Sequence, residues 1–327
     1  MSWKSNSSGL SEMMVQASPQ VLVICGPTAS GKSSTAIQVA RELDGEIVSA
    51  DSMQIYRGMD IGTAKVTPEE QALVRHHLID CCEPGETFSV ARFKELATAA
   101  IRDIQSRGKL AIVCGGTGQY ISALTQGIDY VDIPVDPVLR ESLNQRAREE
   151  GLDALYQELS QADPEAVQAI KPQDQKRIIR ALEIFHQTGR PKTEHLAESR
   201  LKGPDFNFIV YCLTHQREVL YDKINQRVQT MIDMGLVEEV RQLLVKTNGP
   251  AASTAWQAIG YKEIIASLQG QKTLQEATSD IAQATRRYAK RQLTWFRKMP
   301  DVHWLHDLTS DQAARAMINE MKNKTIF

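Results

Sequence analysis

Five short stretches carry the strand signal: QVLVIC (20–25), EIVSA (46–50), HHLID (76–80), KLAIVCGG (109–116) and NFIVYCL (207–213). The longest of them are continuous apolar runs, which suits strands covered on both faces. After the first, Ala36, Ile37, Val39, Ala40 and Leu43 recur at helical spacing over 33–43, and helical segments lie between several of the others. Strands alternating with helices predict an α/β fold with a parallel, doubly wound sheet, whose ligands gather at the carboxyl ends of the strands.

The pattern changes over 131–203. That stretch has no strand-like run, is rich in Gln, Glu and Arg, and is punctuated by Pro134, Pro137, Pro164, Pro172 and Pro191. It predicts a helical insertion, and so a division into a tail (1–19), a core domain (20–130 with 204–327) and an insertion domain (131–203). Beyond the strand at 207 the pattern is helical over 220–245, 255–268 and 280–297.

Composition narrows the class only a little. A chain of 327 residues with 42% hydrophobic and 24% charged residues is neither disordered nor collagen-like. No apolar run approaches the roughly 20 residues that cross a bilayer, so no membrane span is expected. The first twenty residues lack the basic start and apolar stretch of a secretory signal and read as a polar tail. Cys25, Cys81, Cys82, Cys114 and Cys212 show no C-x-x-C pairing, which predicts reduced, mostly buried thiols in a cytoplasmic protein without a zinc site.

Charge is more telling in its distribution than in its net value of −2. Arg286, Arg287, Lys290, Arg291, Arg297 and Lys298 fall within 284–298 with no acid among them. Over 171–192, Lys171, Lys176, Arg177, Arg180, Arg190 and Lys192 face only Asp174 and Glu183. Two local basic segments in a near-neutral chain suggest an anionic partner held at particular places; solvated helix faces are the simpler alternative.

Candidate chemistry sits where strands end. GPTASGKSS (26–34) matches G-x-x-x-x-G-K-[ST] through Gly26, Gly31, Lys32 and Ser33, between a strand and a helix. Backbone N–H groups of Thr28, Ala29, Ser30, Gly31, Lys32 and Ser33 would converge on an anion at a helix N-terminus. Lys32 adds a mobile positive charge, and the Ser33 hydroxyl is placed to ligate Mg2+. Asp51 directly follows EIVSA, so it belongs beside that loop as a magnesium-ordering carboxylate, a general base, or simply the cap of a turn. CGGTGQY (114–120) brings Thr117 and three glycines to the same edge, either for close approach of a ligand or for a tight turn. In TRRYAKRQLTWFRK (285–298), Arg287 and Arg291 stack one helical turn apart, while Tyr288, Trp295 and Met299 fall on a separate face that reads mainly as core.

Taken together, GPTASGKS, DSMQIYRGMDIGTAK, HHLID, GGTGQY, DQKRIIRALE, TGRP, QAIGYKE and TRRYAKRQLTWFR resemble the tRNA dimethylallyltransferases of bacterial type, in order from residue 26 to residue 297. The resemblance implies a P-loop NTPase-like sheet with a helical insertion. It also implies transfer of a dimethylallyl group from dimethylallyl diphosphate to the exocyclic amine (N6) of the adenosine next to the anticodon on its 3′ side in tRNA. By the same likeness, Asp51 is the general base and Thr117 assists at the reacting centre. Asp51, Ser52, Met53, Gln54, Arg140, Lys176, Arg177, Ile178, Ile179, Arg180, Gln257, Ala258, Ile259, Gly260, Tyr261 and Lys262 match positions that meet the tRNA. A monomer is expected.

Departures are few: Gln119 stands where the family often has an apolar residue, and Lys192 and Thr193 stand where a serine is usual. The chain ends at Phe327 without the zinc finger of eukaryotic relatives. Two other classes use parts of the same pattern. A small-molecule or nucleotide kinase would place a triphosphate on the loop under an arginine-rich lid, and a non-catalytic RNA-binding or switch protein would need the basic helices without Asp51 and Thr117.

Overall fold

The computed structural model describes residues 20–130, 133, 135–250 and 253–323. The tail at 1–19 and the first residues of the insertion lie outside them.

Six strands form one parallel sheet in the order β3-β2-β4-β1-β5-β6: β1 Gln20–Cys25, β2 Gly45–Ser49, β3 His76–His77, β4 Leu110–Gly115, β5 Asn207–Thr214 and β6 Val302–His306. Alternation along β1 sends Val21, Val23 and Cys25 to one face and Leu22 and Ile24 to the other, all fully buried. On the second face α1 (Lys32–Glu42) packs through Ala36, Ile37 and Val39. The short α2 (Pro68–Leu73) follows a Thr67–Glu70 capping box. On the first face lie α3 (Val90–Ser106), through Phe93, Ala97 and Ile101, and α4 (Gly118–Thr125), through Tyr120 and Ile121. Burial on both faces is why the central strands read as continuous apolar runs.

The predicted strands are present, with two differences. HHLID contributes only His76 and His77 to the ladder, as an edge strand beside β2. A sixth strand, β6, pairs beside β5 beyond the last segment read as helical, where no strand was expected. Two histidines interrupt the apolar residues of VHWLH, and as an edge strand it buries its side chains only in part, so it lacks the apolar run that marks β1 and β4.

Between α4 and β5 the described residues make five helices: α5 (Pro137–Glu149), α6 (Leu152–Ala162), α7 (Ala166–Ala169), α8 (Gln175–Thr188) and α9 (Lys192–Leu201). Leu143, Leu155, Leu159, Ile178, Ile179 and Leu182 build a hydrophobic cluster of their own, separate from those on the sheet. After β5 come α10 (Arg217–Asp233), α11 (Leu236–Lys246), α12 (Tyr261–Leu268), α13 (Leu274–Phe296) and α14 (Ser310–Asn323). The stretch expected as one helix over 220–245 is two, because Gly235 adopts φ 100° between them. Gly260, at φ 102°, likewise separates a 3-10 turn at Ala255–Gln257 from α12. α13 begins earlier than expected, where Thr273 and Glu276 form a capping box. Helices α10 to α13 pack with Ile55, Tyr56 and Met59 in a further cluster that covers the loop after β2.

Candidate active site

The P-loop leaves β1 at Gly26, φ 143°, where an added Cβ would stand 2.3 Å from the Leu213 carbonyl oxygen. Ala29 (φ 63°) and Gly31 (φ 89°) adopt left-handed conformations before α1 starts at Lys32. Ser30 Oγ is buried without a hydrogen-bond partner among the described residues. The expected set of inward N–H groups differs at its start: Thr28 N donates to Gln292 Oε1 (2.9 Å). Lys32 Nζ donates to the Pro27 carbonyl (2.6 Å), curled over its own loop.

Asp51 and its neighbours leave the end of β2. Asp51 accepts the Met53 N–H (2.9 Å), so it caps a turn, and it also lines the cavity described below. Burial pushes its pKa above the ordinary value of 3.8, against smaller opposing effects from the Met53 N–H and the Lys32 charge. Burial also lowers the pKa of Lys32 from 10.5. The thiol of Cys114 between them is pushed up to about 11 by burial and stays neutral, which excludes it as a thiolate nucleophile at pH 7.

The loop after β4 is pinned by close approach. A Cβ on Gly115 would stand 2.2 Å from the Ala50 carbonyl oxygen, one on Gly116 2.3 Å from Gln292 Nε2, and one on Gly118 2.4 Å from the Trp295 ring. Thr117 Oγ1 accepts the Ser52 N–H (2.9 Å) and donates to Ser52 Oγ (3.3 Å). Thr117 thus fixes the turn after Asp51 rather than lining the cavity itself.

These loops open on a cavity of about 360 Å3. Thr28, Lys32, Ser33 and Asp51 to Gln54 form one end. Gly62 to Ala64, Gln257 to Ile259 and Lys262 form a side wall, and Ile224, Arg227 and Met231 of α10 with Tyr288, Arg291 and Gln292 of α13 close the rest. Gln292 is 5% exposed and ties the walls together, since its Nε2 donates to the Gly116 carbonyl (2.9 Å) while its Oε1 holds Thr28. Glu239 does the same on the far side: it accepts the N–H groups of Asp60 (3.0 Å), Ile61 (2.7 Å) and Gly62 (3.1 Å) and the Tyr261 hydroxyl (2.6 Å). Lys65, 3% exposed, bonds Tyr56 O, Asp60 and Asp80, so much of DSMQIYRGMDIGTAK serves to hold the loop that carries Asp51.

Other sequence-predicted residues lie elsewhere. Gly260 and Tyr261 are buried behind the cavity wall, Tyr261 at 0% exposure. Arg287 is exposed on α13 outside the cavity, whereas Arg291 lines it. Arg140, Lys176, Arg177 and Arg180 are on the insertion, and Ile178 and Ile179 point into its core, so their side chains meet no solvent-borne partner. Arg140 (2.6 Å) and Arg180 (2.8 Å) converge on the fully buried Glu183. The aromatic face of α13 is not uniformly core. Met299 is buried, Trp295 is 40% exposed with Nε1 on Ser122 Oγ (2.9 Å), and Tyr288 lines the cavity, its hydroxyl kept protonated by burial, with a pKa of about 12. Gln292, Arg227 and Glu239 were not singled out from sequence; Gln292 lay in a quoted segment, but only its contacts set it apart.

The fold and the site define a P-loop-like parallel α/β protein whose glycine-rich loop and half-buried Asp51 carboxylate share one cavity. The family described as IPP transferase matches residues 54–299, and the chain belongs to it. A tRNA dimethylallyltransferase of Acetivibrio thermocellus is 49% identical over 286 residues, 88% of this chain and 91% of that one. One from Bacillus subtilis is 45% identical over 307 residues, 94% and 95%. Among solved structures, the full-length tRNA isopentenylpyrophosphate transferase from Bacillus halodurans aligns with TM-score 0.68 and 43% identity, covering 93% of this chain and 96% of that one. A eukaryotic dimethylallyltransferase acting on tRNA aligns with TM-score 0.79 and 29% identity, covering 94% and 80%.

Proposed function

We propose that this chain transfers the dimethylallyl group of dimethylallyl diphosphate to N6 of the adenosine 3′-adjacent to the anticodon in tRNA, releasing diphosphate. The observation that carries the reading is one cavity lined both by an anion loop with its lysine and by a half-buried carboxylate, in a chain of this family. In the reaction the allylic C1–O bond breaks, its electrons leave with the diphosphate, and the N6 lone pair forms the new C–N bond. Asp51 takes the N6 proton. An adenine amine is a poor nucleophile, and a desolvated carboxylate of raised pKa is a better acceptor than an ordinary one.

Lys32, swung from Pro27, and the free N–H groups of the loop meet the charge that develops on the leaving diphosphate. Arg227 and Arg291 line the same cavity and add to that field. Thr117 acts as a positioning residue through Ser52. The orphaned Ser30 Oγ beside the cavity and the cavity-lining Ser33 fit a bound diphosphate with Mg2+, which the Ser33 hydroxyl would help to hold. Among the described residues no group of three or more His, Cys, Asp or Glu could hold a metal without that help. When bound, Mg2+ would neutralise leaving-group charge.

The target base reaches the cavity by flipping out of the anticodon loop, past Ser52 to Gln54 on one side and Gln257 to Ile259 with Lys262 on the other. Residues 20–130 with 204–327 serve as the catalytic core, and the insertion, with Arg140, Lys176, Arg177 and Arg180, holds the anticodon stem-loop. No helix among the described residues is long and apolar enough to cross a membrane; we place the enzyme in the cytoplasm as a monomer. Incubation with Mg2+, labelled dimethylallyl diphosphate and unmodified tRNA tests the reading. Label in the tRNA is expected; no label, with magnesium-dependent consumption of a nucleoside triphosphate instead, would favour a kinase.

A further inference from the structure

A second cavity, again about 360 Å3, opens at the carboxyl ends of β5 and β6 and shares no lining residue with the first. α13 is the wall between them. At 3.6 residues per turn, Ile281, Thr285, Tyr288, Arg291 and Gln292 lie along one side of that helix and face the first cavity. Lys290, Leu293, Thr294 and Arg297 lie on the opposite side and face the second.

The second cavity is unbalanced in charge. Arg217, Lys290 and Arg297 line it, all exposed, and none of them pairs with a carboxylate among the described residues. By contrast, Arg140, Arg146, Arg148, Arg177, Arg180 and Arg190 of the insertion all do. The one lining carboxylate, Asp307, is engaged: its Oδ1 accepts the Gln216 N–H (2.8 Å) and stands 3.8 Å from His215 Nδ1. The Arg217 guanidinium lies over the Tyr221 ring (5.1 Å), with Arg286 at 5.9 Å from the same ring. The N-cap of the 17-residue α10 has no side-chain cap bond, so its first-turn N–H groups add positive field to the same space, partly offset by Glu218 of that turn, which lies outside the lining.

We infer that this cavity holds a backbone phosphate of the tRNA, across α13 from the adenosine being modified. The inference rests on the tRNA reading above. Cations run across α13 from one flank to the other, Arg291 on the first, Lys290 and Arg297 on the second and the exposed Arg287 between them, and form a belt that a polyanionic strand engages at more than one point. A free phosphate compound would fill one flank only.

The test is the double variant Lys290→Ala with Arg297→Ala, both outside the catalytic cavity. Steady-state transfer is measured over a salt series, with wild-type transfer as the prior control, whose failure would sink the function and not this site. The expected result is a several-fold rise in KM for tRNA and a salt dependence shallower by about 0.7 for each phosphate no longer neutralised, with kcat and KM for dimethylallyl diphosphate unchanged. The charge-keeping pair Lys290→Arg with Arg297→Lys should restore tRNA KM. Wild-type values for tRNA KM and salt slope would overturn the inference. So would relief of inhibition by added ADP or inorganic pyrophosphate with tRNA KM unchanged, which would assign the cavity to a free phosphate ligand. A lowered Tm with both KM values raised would assign it to packing and overturn the inference as well.

Discussion

Asp51 is held where its charge is costly. Burial raises its pKa and the Lys32 ammonium only partly offsets that. A folded-state pKa above the unfolded one favours the protonated group, so above that pKa the ionised carboxylate lowers stability. Asp51→Asn is therefore expected to leave Tm unchanged or raised and diphosphate affinity intact, while kcat falls by on the order of 10²–10⁴-fold; thermal melts beside single-turnover rates check this. The same shifts set the pH profile. The base must be ionised and the lysine charged, so the acid limb of kcat/KM for dimethylallyl diphosphate should lie above the ordinary Asp value of 3.8 and the alkaline limb below the ordinary Lys value of 10.5. An acid limb at or below the ordinary Asp value would remove Asp51 from the base role. The placement of Asp51, Lys32 and Thr117 at one edge of the sheet was legible because each comes after a recognisable strand. That Thr117 Oγ1 bonds the Ser52 N–H was not, since sequence gives a hydroxyl its place but not its partner.

At the scale of elements, the site depends on bridges between loops that are far apart in sequence. Gln292 joins the P-loop to the loop after β4, and removing a buried group that satisfies two backbone partners costs about 1–3 kcal/mol. Gln292→Ala should thus raise KM for dimethylallyl diphosphate and lower kcat together, with KM for tRNA little changed; steady-state kinetics with each substrate varied would show it. Neither Gln292 nor Glu239 carried a sequence signal of function, because a polar residue on a helix looks solvated until the element opposite is known. The glycines of CGGTGQY were legible only as a choice between turn and close approach. What requires them is a third thing, close packing against the protein's own Ala50, Gln292 and Trp295. The missed β6 has the same origin as the split of 220–245: edge strands lack a full apolar run, and Gly235 breaks a pattern whose periodicity looks unbroken.

At the scale of the molecule, the sheet and its C-terminal helices enclose the chemistry, while the helices between α4 and β5 carry a separate hydrophobic cluster. If that insertion holds the anticodon stem-loop, loosening it should affect one substrate only. Leu155 is fully buried there, and Leu155→Ala costs about 2–5 kcal/mol locally. It should raise KM for tRNA while leaving KM for dimethylallyl diphosphate near wild type; a parallel rise in both would tie the insertion to the catalytic cavity. The alternation of strands and helices made the parallel sheet readable from sequence, and the proline-punctuated change at 131–203 is what suggests an insertion there. The burial of Ile178 and Ile179 did not follow from the basic character of their neighbours; it follows from α8 packing its apolar side inward.

The central claim is that the P-loop grips a leaving diphosphate while Asp51 accepts the proton of the amine. It is tested most directly by single-turnover transfer from labelled dimethylallyl diphosphate to unmodified tRNA, with the modified nucleoside located by mass spectrometry, for wild type and Asp51→Asn. The account predicts label on N6 of the adenosine beside the anticodon with wild type, and with the variant the same binding but transfer slowed by on the order of 10²–10⁴-fold. Equal rates for the two proteins, or label on no nucleoside of the tRNA, would contradict it.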